Sequence, residues 1–337
     1  ESAQIVSISI GPLQLRDPVV LAPMSGVTDL PFRRLVKRRG AGLVVSEMIA
    51  SQAMVRQTRD SLKMSTNCAE EFPMAVQLAG CEPEVMAEAA KLNADRGAAI
   101  IDINFGCPVK KIVTKHAGSA LMREEGLAGR IMEAVVEAVD LPVTMKMRLG
   151  WDHDSLNAPR LAKIAEEAGI KLLTVHGRTR CQFYKGEADW SAVRATKQAT
   201  RLPVIVNGDI QGPADIDNAL ERSGADGVMI GRGACGRPWM LSQAAIYLRE
   251  GFWPEEPSLR PRLALLLEHY EALLEHYGRE QGLRIARKHL GWYSRGLEGS
   301  ATLRETLNRE SDPRRVVALL RAAFAREEES AERQVAA

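Results

Sequence analysis

The chain has 337 residues, of which 45% are hydrophobic and 26% charged, and its 45 Lys and Arg against 43 Asp and Glu leave a formal net charge of +2. This length can bury a large core, and the composition is that of an ordinary globular protein. A charge so close to zero excludes any argument for nucleic-acid binding from whole-protein electrostatics alone.

The same survey argues against membrane and disulfide-rich classes. No apolar run approaches the length of about 18 residues that a membrane-spanning helix needs, and the first residues lack the basic-then-apolar order of a signal peptide. The five cysteines, at positions 68, 81, 107, 181 and 235, contain no Cys-x-x-Cys pair. We therefore expect a cytoplasmic protein with no disulfide and no metal site.

Short β-branched runs alternate with amphipathic helical segments between residues 19 and 240, after a β-ribbon predicted over 5–15. The predicted strands are 19–21, 43–46, 74–78, 100–103, 143–146, 172–175, 204–206 and 227–230, and the clearest predicted helices are 84–96, 127–139, 157–168 and 214–223. Eight such repeats predict an α/β fold of the (β/α)8 TIM-barrel type. A doubly wound sheet, the alternative, would have fewer strands and a Gly-rich first turn.

The strand pattern ends near residue 252. The segment 253–257, Trp-Pro-Glu-Glu-Pro, predicts a linker, and apolar residues then recur only at helical spacing. Further helices are predicted over 282–294, 301–308 and 313–325. We therefore expect a barrel domain over 1–252, a small all-helical domain over 253–325 and a flexible tail over 326–337.

The segment Asn104-Phe105-Gly106-Cys107-Pro108 directly follows the strand predicted over 100–103. Cys107 is therefore expected at the carboxyl end of a barrel strand, where TIM-barrel enzymes keep their catalytic residues. A cationic loop follows, with Lys110, Lys111, Lys115 and His116. This combination indicates proton chemistry on an anionic, polymeric substrate, with a buried structural cysteine as the alternative.

The last two predicted strands end in Asn207-Gly208-Asp209 and Gly231-Arg232-Gly233. TIM barrels commonly bind phosphate after strands seven and eight, where glycine lets the backbone approach the ligand and Arg supplies a charged fork. Gln77, Lys146 and His176 also stand at strand ends. An amide, a cation and an imidazole around one barrel mouth are typical of a flavin site, so the sequence predicts flavin mononucleotide.

Several of these motifs together resemble the tRNA-dihydrouridine synthase family, and the bacterial B-type branch is the most similar. The resemblance covers almost the whole barrel and extends weakly into the C-terminal helices, and Ser25 stands where many members have Ala. The segments that carry it are 22–29 (APMSGVTD), 104–108 (NFGCP), 117–122 (AGSALM), 146–148 (KMR), 176–180 (HGRTR), 186–190 (GEADW), 207–210 (NGDI) and 231–233 (GRG).

The resemblance implies an oxidoreductase in which FMN, reduced by NADPH, saturates the C5–C6 bond of specific uridines in tRNA to give 5,6-dihydrouridine. It implies no obligate protein partner. The residues it assigns to the cofactor are Pro23, Met24, Ser25, Gln77, Lys146, His176, Asn207, Gly208, Asp209, Gly231 and Arg232.

By resemblance, hydride passes from flavin N5 to uracil C6, and Cys107 gives a proton to C5 from the opposite face. A thiol of ordinary pKa, about 8.5, is protonated at neutral pH and can act as this acid. The neighbouring lysines are therefore expected to grip tRNA rather than to depress the pKa of the thiol. Cys181, in the loop after the sixth strand, is the alternative acid.

The target base must leave the tRNA fold to reach a barrel mouth, and affinity is expected from cations that contact phosphate. The residues expected to contact tRNA are Asn104, Lys110, Lys111, Lys115, His116, Arg178, Arg180, Arg287 and Lys288. Two other functions stay open. One is a flavin-dependent dehydrogenase or reductase of a small pyrimidine, and the other is a tRNA-binding protein that holds a phosphate without redox chemistry.

Overall fold

A computed structural model describes residues 7–335, without the side chains of residues 332, 334 and 335. The first described element is an antiparallel hairpin of β1 (Ile8–Ile10) and β2 (Leu13–Leu15), in which Gly11 takes a φ of +58° at the turn. Left-handed backbone of this kind favours glycine. The hairpin corresponds to the predicted ribbon, of which residues 5 and 6 lie outside the described residues.

The next strands are β3 (Val19–Leu21), β4 (Leu43–Val45), β5 (Ile49–Ala50), β6 (Met74–Ala79), β7 (Ile100–Phe105), β8 (Val143–Arg148), β9 (Leu172–His176), β10 (Val204–Asn207) and β11 (Gly227–Ile230). Within residues 7–335, eight of these strands form a closed parallel barrel, because β11 pairs with β3 and β4 pairs with β6. The short β5 only adds to β6. This closure confirms the predicted TIM barrel.

Helices cover the outside of the barrel. They are α1 (Leu30–Arg38), α2 (Ser51–Val55), α3 (Arg59–Met64), α4 (Pro83–Asp95), α5 (Lys110–Val113), α6 (Glu125–Ala138), α7 (Ala158–Glu167), α8 (Trp190–Ala199), α9 (Pro213–Ser223) and α10 (Met240–Glu250). Local signals set several ends. The side chains of Asp29 and Asp189 accept backbone N–H bonds at the starts of α1 and α8, and Gly224 ends α9 in the left-handed conformation.

The inside of the barrel changes from apolar to polar along β7, β9 and β10. Side chains of successive strand residues point to opposite faces, so every second residue shares a face. Near the amino ends, Ile100, Leu172 and Ile205 form one buried cluster with the hairpin residues Ile10 and Leu15. The next residues on the same faces are polar, in the order Asp102 and Asn104 on β7, Thr174 and His176 on β9, and Asn207 on β10. The hairpin therefore closes an apolar lower half, and the polar upper half is left for function.

Four helices follow, α11 (Leu259–Tyr277), α12 (Arg279–Tyr293), α13 (Ser300–Arg309) and α14 (Pro313–Val335). Their core includes Leu266, Tyr270, Leu290, Leu307 and Leu320, all nearly inaccessible to solvent. The chain divides into two compact units. The barrel unit runs to Ala234 and includes Trp239–Trp253, and the helical unit contains Cys235–Pro238 and the chain from Pro254 onward.

The end of the chain differs from its prediction. A helix was expected over 313–325 and a flexible tail over 326–337, but α14 continues to Val335. Residues 336 and 337 lie outside the described residues. No helix in the described part of the chain is both long and apolar enough to cross a membrane.

Candidate active site at the barrel mouth

Cys107 lies just after β7, and its backbone is held on both sides. The Asn104 Oδ1 atom accepts hydrogen bonds from the backbone N–H groups of Gly106 (3.1 Å) and Cys107 (2.9 Å). The Cys107 carbonyl accepts from the backbone N–H (3.1 Å) and the hydroxyl (2.9 Å) of Ser119. Gly118, at φ +62°, packs so closely that a Cβ there would lie 2.8 Å from the Cys107 oxygen. The thiol therefore projects from a fixed loop.

Burial raises the pKa of the Cys107 thiol, although a backbone hydrogen bond and the charges of Arg148 and Lys146 oppose the shift. The group is therefore a protonated thiol at neutral pH, as the assignment of an acid requires. The lysines of the following loop do not contribute to this shift. Lys110, Lys111 and Lys115 are exposed, on and just after α5.

Arg148 ties the thiol loop to the loop that follows β9. Its guanidinium is 2% exposed and donates to the carbonyls of Gly106 (2.8 Å), Thr179 (2.9 Å) and Phe183 (2.7 Å). Burial lowers its pKa to about 10, so it stays charged at neutral pH. No role was predicted for Arg148 from the sequence, although its position two residues after Lys146 on β8 places it on the same inward face.

Tyr184 was also not predicted as a site residue. It lies in an irregular loop, where no strand or helix periodicity indicates which way a side chain points. The side chain is 54% exposed. The guanidinium groups of Arg148 and Arg232 lie 5.4 and 5.5 Å from its ring centroid. These contacts place an exposed aromatic ring beside the end of β8 and the loop after β11.

Lys146 lies on the inward face of β8, in register with Asn104. Burial lowers the pKa of its ammonium to about 8, with Arg148 adding to the effect. Within residues 7–335 the Nζ atom has no hydrogen bond or ion pair. A mostly charged ammonium without a bonded partner is suited to bind the anionic edge of a ligand.

His176 ends β9 and is 8% exposed. Burial and the surrounding cations hold its pKa well below the usual value, so the imidazole is neutral. The Arg178 guanidinium lies 3.3 Å from Nε2. Because a guanidinium only donates, Nε2 accepts this bond and the ring carries its proton on Nδ1, which is then the donor available to a ligand.

Arg178 is used inside the protein. It is 2% exposed and binds both carboxylate oxygens of Asp209, at 2.6 and 3.0 Å, as well as the carbonyls of Lys185 and Gly186. Asp209 also accepts from Arg232 at 3.1 Å, and these bonds keep the pKa of its carboxyl low although burial opposes them. The expected contact of Arg178 with tRNA therefore conflicts with its burial, which a run of basic residues in the sequence does not reveal.

The loops after β10 and β11 are shaped by glycine. Gly208 has a φ of +119°, and a Cβ there would lie 2.8 Å from the Ala188 Cβ and 2.9 Å from the His176 ring. An added Cβ on Gly231 would be in ordinary van der Waals contact, at 3.5 Å, with the Ala22 Cβ and the Met24 sulfur. Arg232 is 63% exposed beside them. The neighbouring Asn207 side chain is fixed by a 2.9 Å bond to the Met229 carbonyl.

The remaining residues assigned to a cofactor occupy two places. Pro23, Met24 and Ser25 form the partly exposed loop after β3, and the Met24 sulfur lies 3.5 Å from the position of a Cβ on Gly231. Gln77 is fully buried, and both ends of its amide are bonded to protein, to Asp102 and to Asn104. Since each N–H2 group has two hydrogens, one N–H of Gln77 and one of Asn104 remain for a ligand.

Other residues predicted to contact tRNA lie at the surface. His116 is exposed close to Lys115, and Arg180 stacks its guanidinium 4.6 Å from the Trp151 ring centroid. Arg287 and Lys288 belong to the helical unit, where they line a groove of about 440 Å³. The other lining residues are Arg284, Gly291, Trp292, Arg295, Arg304 and Asn308. The cations of α12 are three and four residues apart, so they lie on one face of the helix, and this spacing can be recognised in the sequence.

Fold and site together define a TIM-barrel enzyme. Its mouth presents the protonated thiol of Cys107, the Lys146 ammonium without a hydrogen-bond partner among the described residues, and glycine-containing loops beside Arg232. The model of the dihydrouridine synthase family matches residues 20–329, and the chain belongs to this family of oxidoreductases. This membership confirms the resemblance recognised in the sequence.

Similar proteins carry the same name. A probable tRNA-dihydrouridine synthase of Rickettsia bellii is 58% identical over 91% of this chain and 94% of its own length. The tRNA-dihydrouridine synthases B of Xanthomonas campestris and Pseudomonas aeruginosa are 50% and 48% identical, each over 94% of this chain and 96% of their own.

Two solved structures share the fold at 14% sequence identity. Morphinone reductase in complex with tetrahydroNAD superposes with a TM-score of 0.50 over 77% of this chain and 93% of that chain. A 2-naphthoyl-CoA reductase in complex with 2-naphthoyl-CoA gives a TM-score of 0.55 over 71% of this chain and 51% of that chain. Likeness at this level of identity concerns the barrel fold alone.

Proposed function

We propose that this protein uses FMN, reduced by NADPH, to convert specific uridines of tRNA to 5,6-dihydrouridine. The observation that carries the proposal is the protonated Cys107 thiol, fixed at the barrel mouth beside Lys146 and the glycine-shaped loops. The names of its relatives support tRNA as the substrate. A tRNA substrate in turn implies action in the cytoplasm.

The side chains of the mouth fit FMN in their chemistry. Lys146 offers a cation to the electron-rich edge of the ring, and His176 offers the Nδ1–H donor. At the other end, Gly208 and Gly231 lie in the loops after β10 and β11, where TIM barrels commonly bind phosphate, and Arg232 brings a charge. The remaining cofactor residues are Pro23, Met24 and Ser25 beside the ring, the last free N–H of Gln77, and Asn207 and Asp209, which fix the phosphate end.

When bound there, reduced FMN would supply the hydride for uracil C6. Cys107 then gives its Sγ proton to C5, and the resulting thiolate recovers a proton from solvent. The raised pKa of Cys107 keeps the acid loaded before this step. The exposed ring of Tyr184 offers a face on which a displaced base can stack.

Cationic side chains outside the mouth bind the phosphates of tRNA. Lys110, Lys111, Lys115, His116 and Arg180 bind phosphates around the barrel opening, and the helical domain over 253–325 binds through its groove, with Arg287 and Lys288. Folded RNA is recognised mainly through shape and backbone, which suits exposed cations on a rigid surface. Arg178 is left out of this set because it is buried.

The decisive experiment is Cys107→Ala, with Cys181→Ala as the matched control. We expect Cys107→Ala to retain FMN and its reduction by NADPH, and to lower dihydrouridine formation on tRNA by about 100-fold or more, since positioned acids contribute about 10²–10⁴-fold. Mass analysis of tRNA nucleosides and stopped-flow flavin absorbance measure the two steps. A loss of turnover in Cys181→Ala instead, or purified protein that takes up no FMN, would overturn the proposal.

A further inference from the structure

A hydrogen-bonded chain of buried side chains runs from the barrel interior to the thiol loop. Thr144 and Gln77 each donate to one oxygen of Asp102, at 2.6 and 2.7 Å. The Gln77 Oε1 atom accepts from the Asn104 amide at 2.7 Å. Asn104 Oδ1 then accepts from the backbone N–H groups of Gly106 and Cys107.

Strand register explains why these residues meet. Gln77, Asp102 and Thr144 are direct neighbours on β6, β7 and β8, and they share the inward face. Asn104 follows Asp102 by two residues, so it lies on the same face one step closer to the mouth. Gln77, Asp102 and Asn104 are 0%, 6% and 8% exposed, so solvent does not compete for their bonds.

The order of donors and acceptors along this series of hydrogen bonds follows from the carboxylate of Asp102. An amide can present either its oxygen or its N–H2 group to a neighbour, whereas a carboxylate only accepts. Burial raises the pKa of the Asp102 carboxyl, and the bonds from Gln77 and Thr144 and the charge of Lys146 oppose that shift. Both Asp102 oxygens accept in this network, so the carboxyl acts there as a carboxylate.

Asp102 therefore selects the N–H2 end of Gln77, which turns the Gln77 oxygen toward Asn104. That oxygen selects the N–H2 end of Asn104 and leaves the Asn104 oxygen facing the thiol loop. With Gln77 reversed, Asn104 would point donors at the N–H groups of Gly106 and Cys107, and both bonds would be lost.

We infer that Asp102 is a positioning residue for the reacting thiol: through the amides of Gln77 and Asn104 it fixes the backbone of Cys107. Asp102 does not itself touch the thiol, and its effect passes through two amide orientations. The inference rests on the proposed function only for its consequence in catalysis, because the fixed loop is a property of the chain itself.

The test measures how fast iodoacetamide modifies Cys107 in the FMN-loaded protein, by peptide mass analysis, with the exposed Cys181 in the same sample as the reference. Asp102→Leu removes the acceptor for Gln77 and is expected to raise the ratio of Cys107 to Cys181 modification about fivefold, in line with the loss of ordinary hydrogen bonds. Thr144→Val removes the other bond to Asp102 and should leave the ratio within about twofold.

Two further variants separate amide order from charge and from packing. Asp102→Asn keeps an oxygen for Gln77 and lets its N–H2 group donate to the Thr144 hydroxyl, so the ratio should stay near that of the unmodified chain. Adding Gln77→Glu to Asp102→Leu moves the carboxylate one link along the chain. A carboxylate at 77 can only accept from Asn104, so the ratio should return to its original value.

An Asp102→Leu ratio equal to that of Thr144→Val, or no recovery in the double variant, would overturn the inference. Should Asp102→Leu fail to fold, Gln77→Met interrupts the next link and must give the same increase. With tRNA as substrate, Asp102→Leu should lower kcat and leave KM for tRNA unchanged. If the unmodified chain reduces no tRNA while Asp102→Leu still raises the modification ratio, the proposed function is refuted and the positioning role of Asp102 stands.

Discussion

In the barrel mouth, polar side chains are buried and hydrogen-bonded to other groups of the protein. In the groove of the helical unit, by contrast, cationic side chains lie along one face of α12. Arg148 is 2% exposed and holds three carbonyls in place. Arg284, Arg295 and Arg304 are exposed to solvent. The comparison teaches that proton transfer requires atoms at fixed positions, while binding a polyanion requires only charge at the right surface.

The largest effect is expected where the mouth loses its fixed geometry. In Gly118→Ala, the added Cβ would lie 2.8 Å from the Cys107 oxygen, and the residue would keep a φ of +62°. We expect kcat for dihydrouridine formation to fall about 100-fold, which is about 2.7 kcal/mol in the barrier. The measurement is steady-state turnover on tRNA at matched FMN content.

Gly299→Ala in the helical unit is the control for that variant. Gly299 has a similar φ of +69° but no atom within 4 Å of an added Cβ. It carries the backbone strain alone, about 1 kcal/mol of stability, with turnover unchanged. Equal activity losses in the two variants would show that the contact with Cys107 is unimportant.

An intermediate effect is expected from the groove. Reversing two charges, with Lys288→Glu and Arg295→Glu, should raise KM for tRNA about tenfold, or about 1.4 kcal/mol, and leave kcat unchanged. The dependence of binding on salt should also become shallower, as measured by titration of fluorescent tRNA. Arg321→Glu, an exposed site on α14 outside the groove, is the control. A fall in kcat without a change in KM would contradict the division of labour between the two regions.

The last expected effect concerns stability rather than turnover, and it is a pH dependence confined to the helical unit. His269 and His289 are buried with ring centroids 4.6 Å apart, and burial lowers both pKa values, that of His269 to about 3. The unfolded chain binds protons below about pH 6.5 while the folded unit stays neutral, so stability falls with falling pH. Two such groups should cost about 2 to 3 kcal/mol between pH 7.5 and 5.5.

Hydrogen exchange of α11 and α12, followed by mass spectrometry, measures this dependence. Replacing both histidines by Gln should flatten it. An unchanged slope in that double variant would assign the effect to other groups.

The sequence predicted the barrel well because its strands are short β-branched runs separated by helices of regular length. It also predicted that residues near strand ends, such as Lys146 and His176, share the inward face, because strand periodicity is strictly two. The burial of Arg178 could not be predicted from the sequence, because its partner Asp209 is 31 residues away and no local pattern encodes that ion pair. The helix over 326–335 was read as a tail because it has few apolar residues, although Arg and Glu favour helix as strongly as Leu.

The partly buried position of Cys107 also has a consequence for the enzyme under oxidative stress. Peroxides react with the thiolate form of cysteine, and oxidation beyond the sulfenic acid is irreversible in most proteins. A thiol whose pKa is raised by burial presents little of that form, so oxidants consume the exposed Cys181 first. Activity should therefore outlast the visible loss of titratable thiols in cells exposed to peroxide.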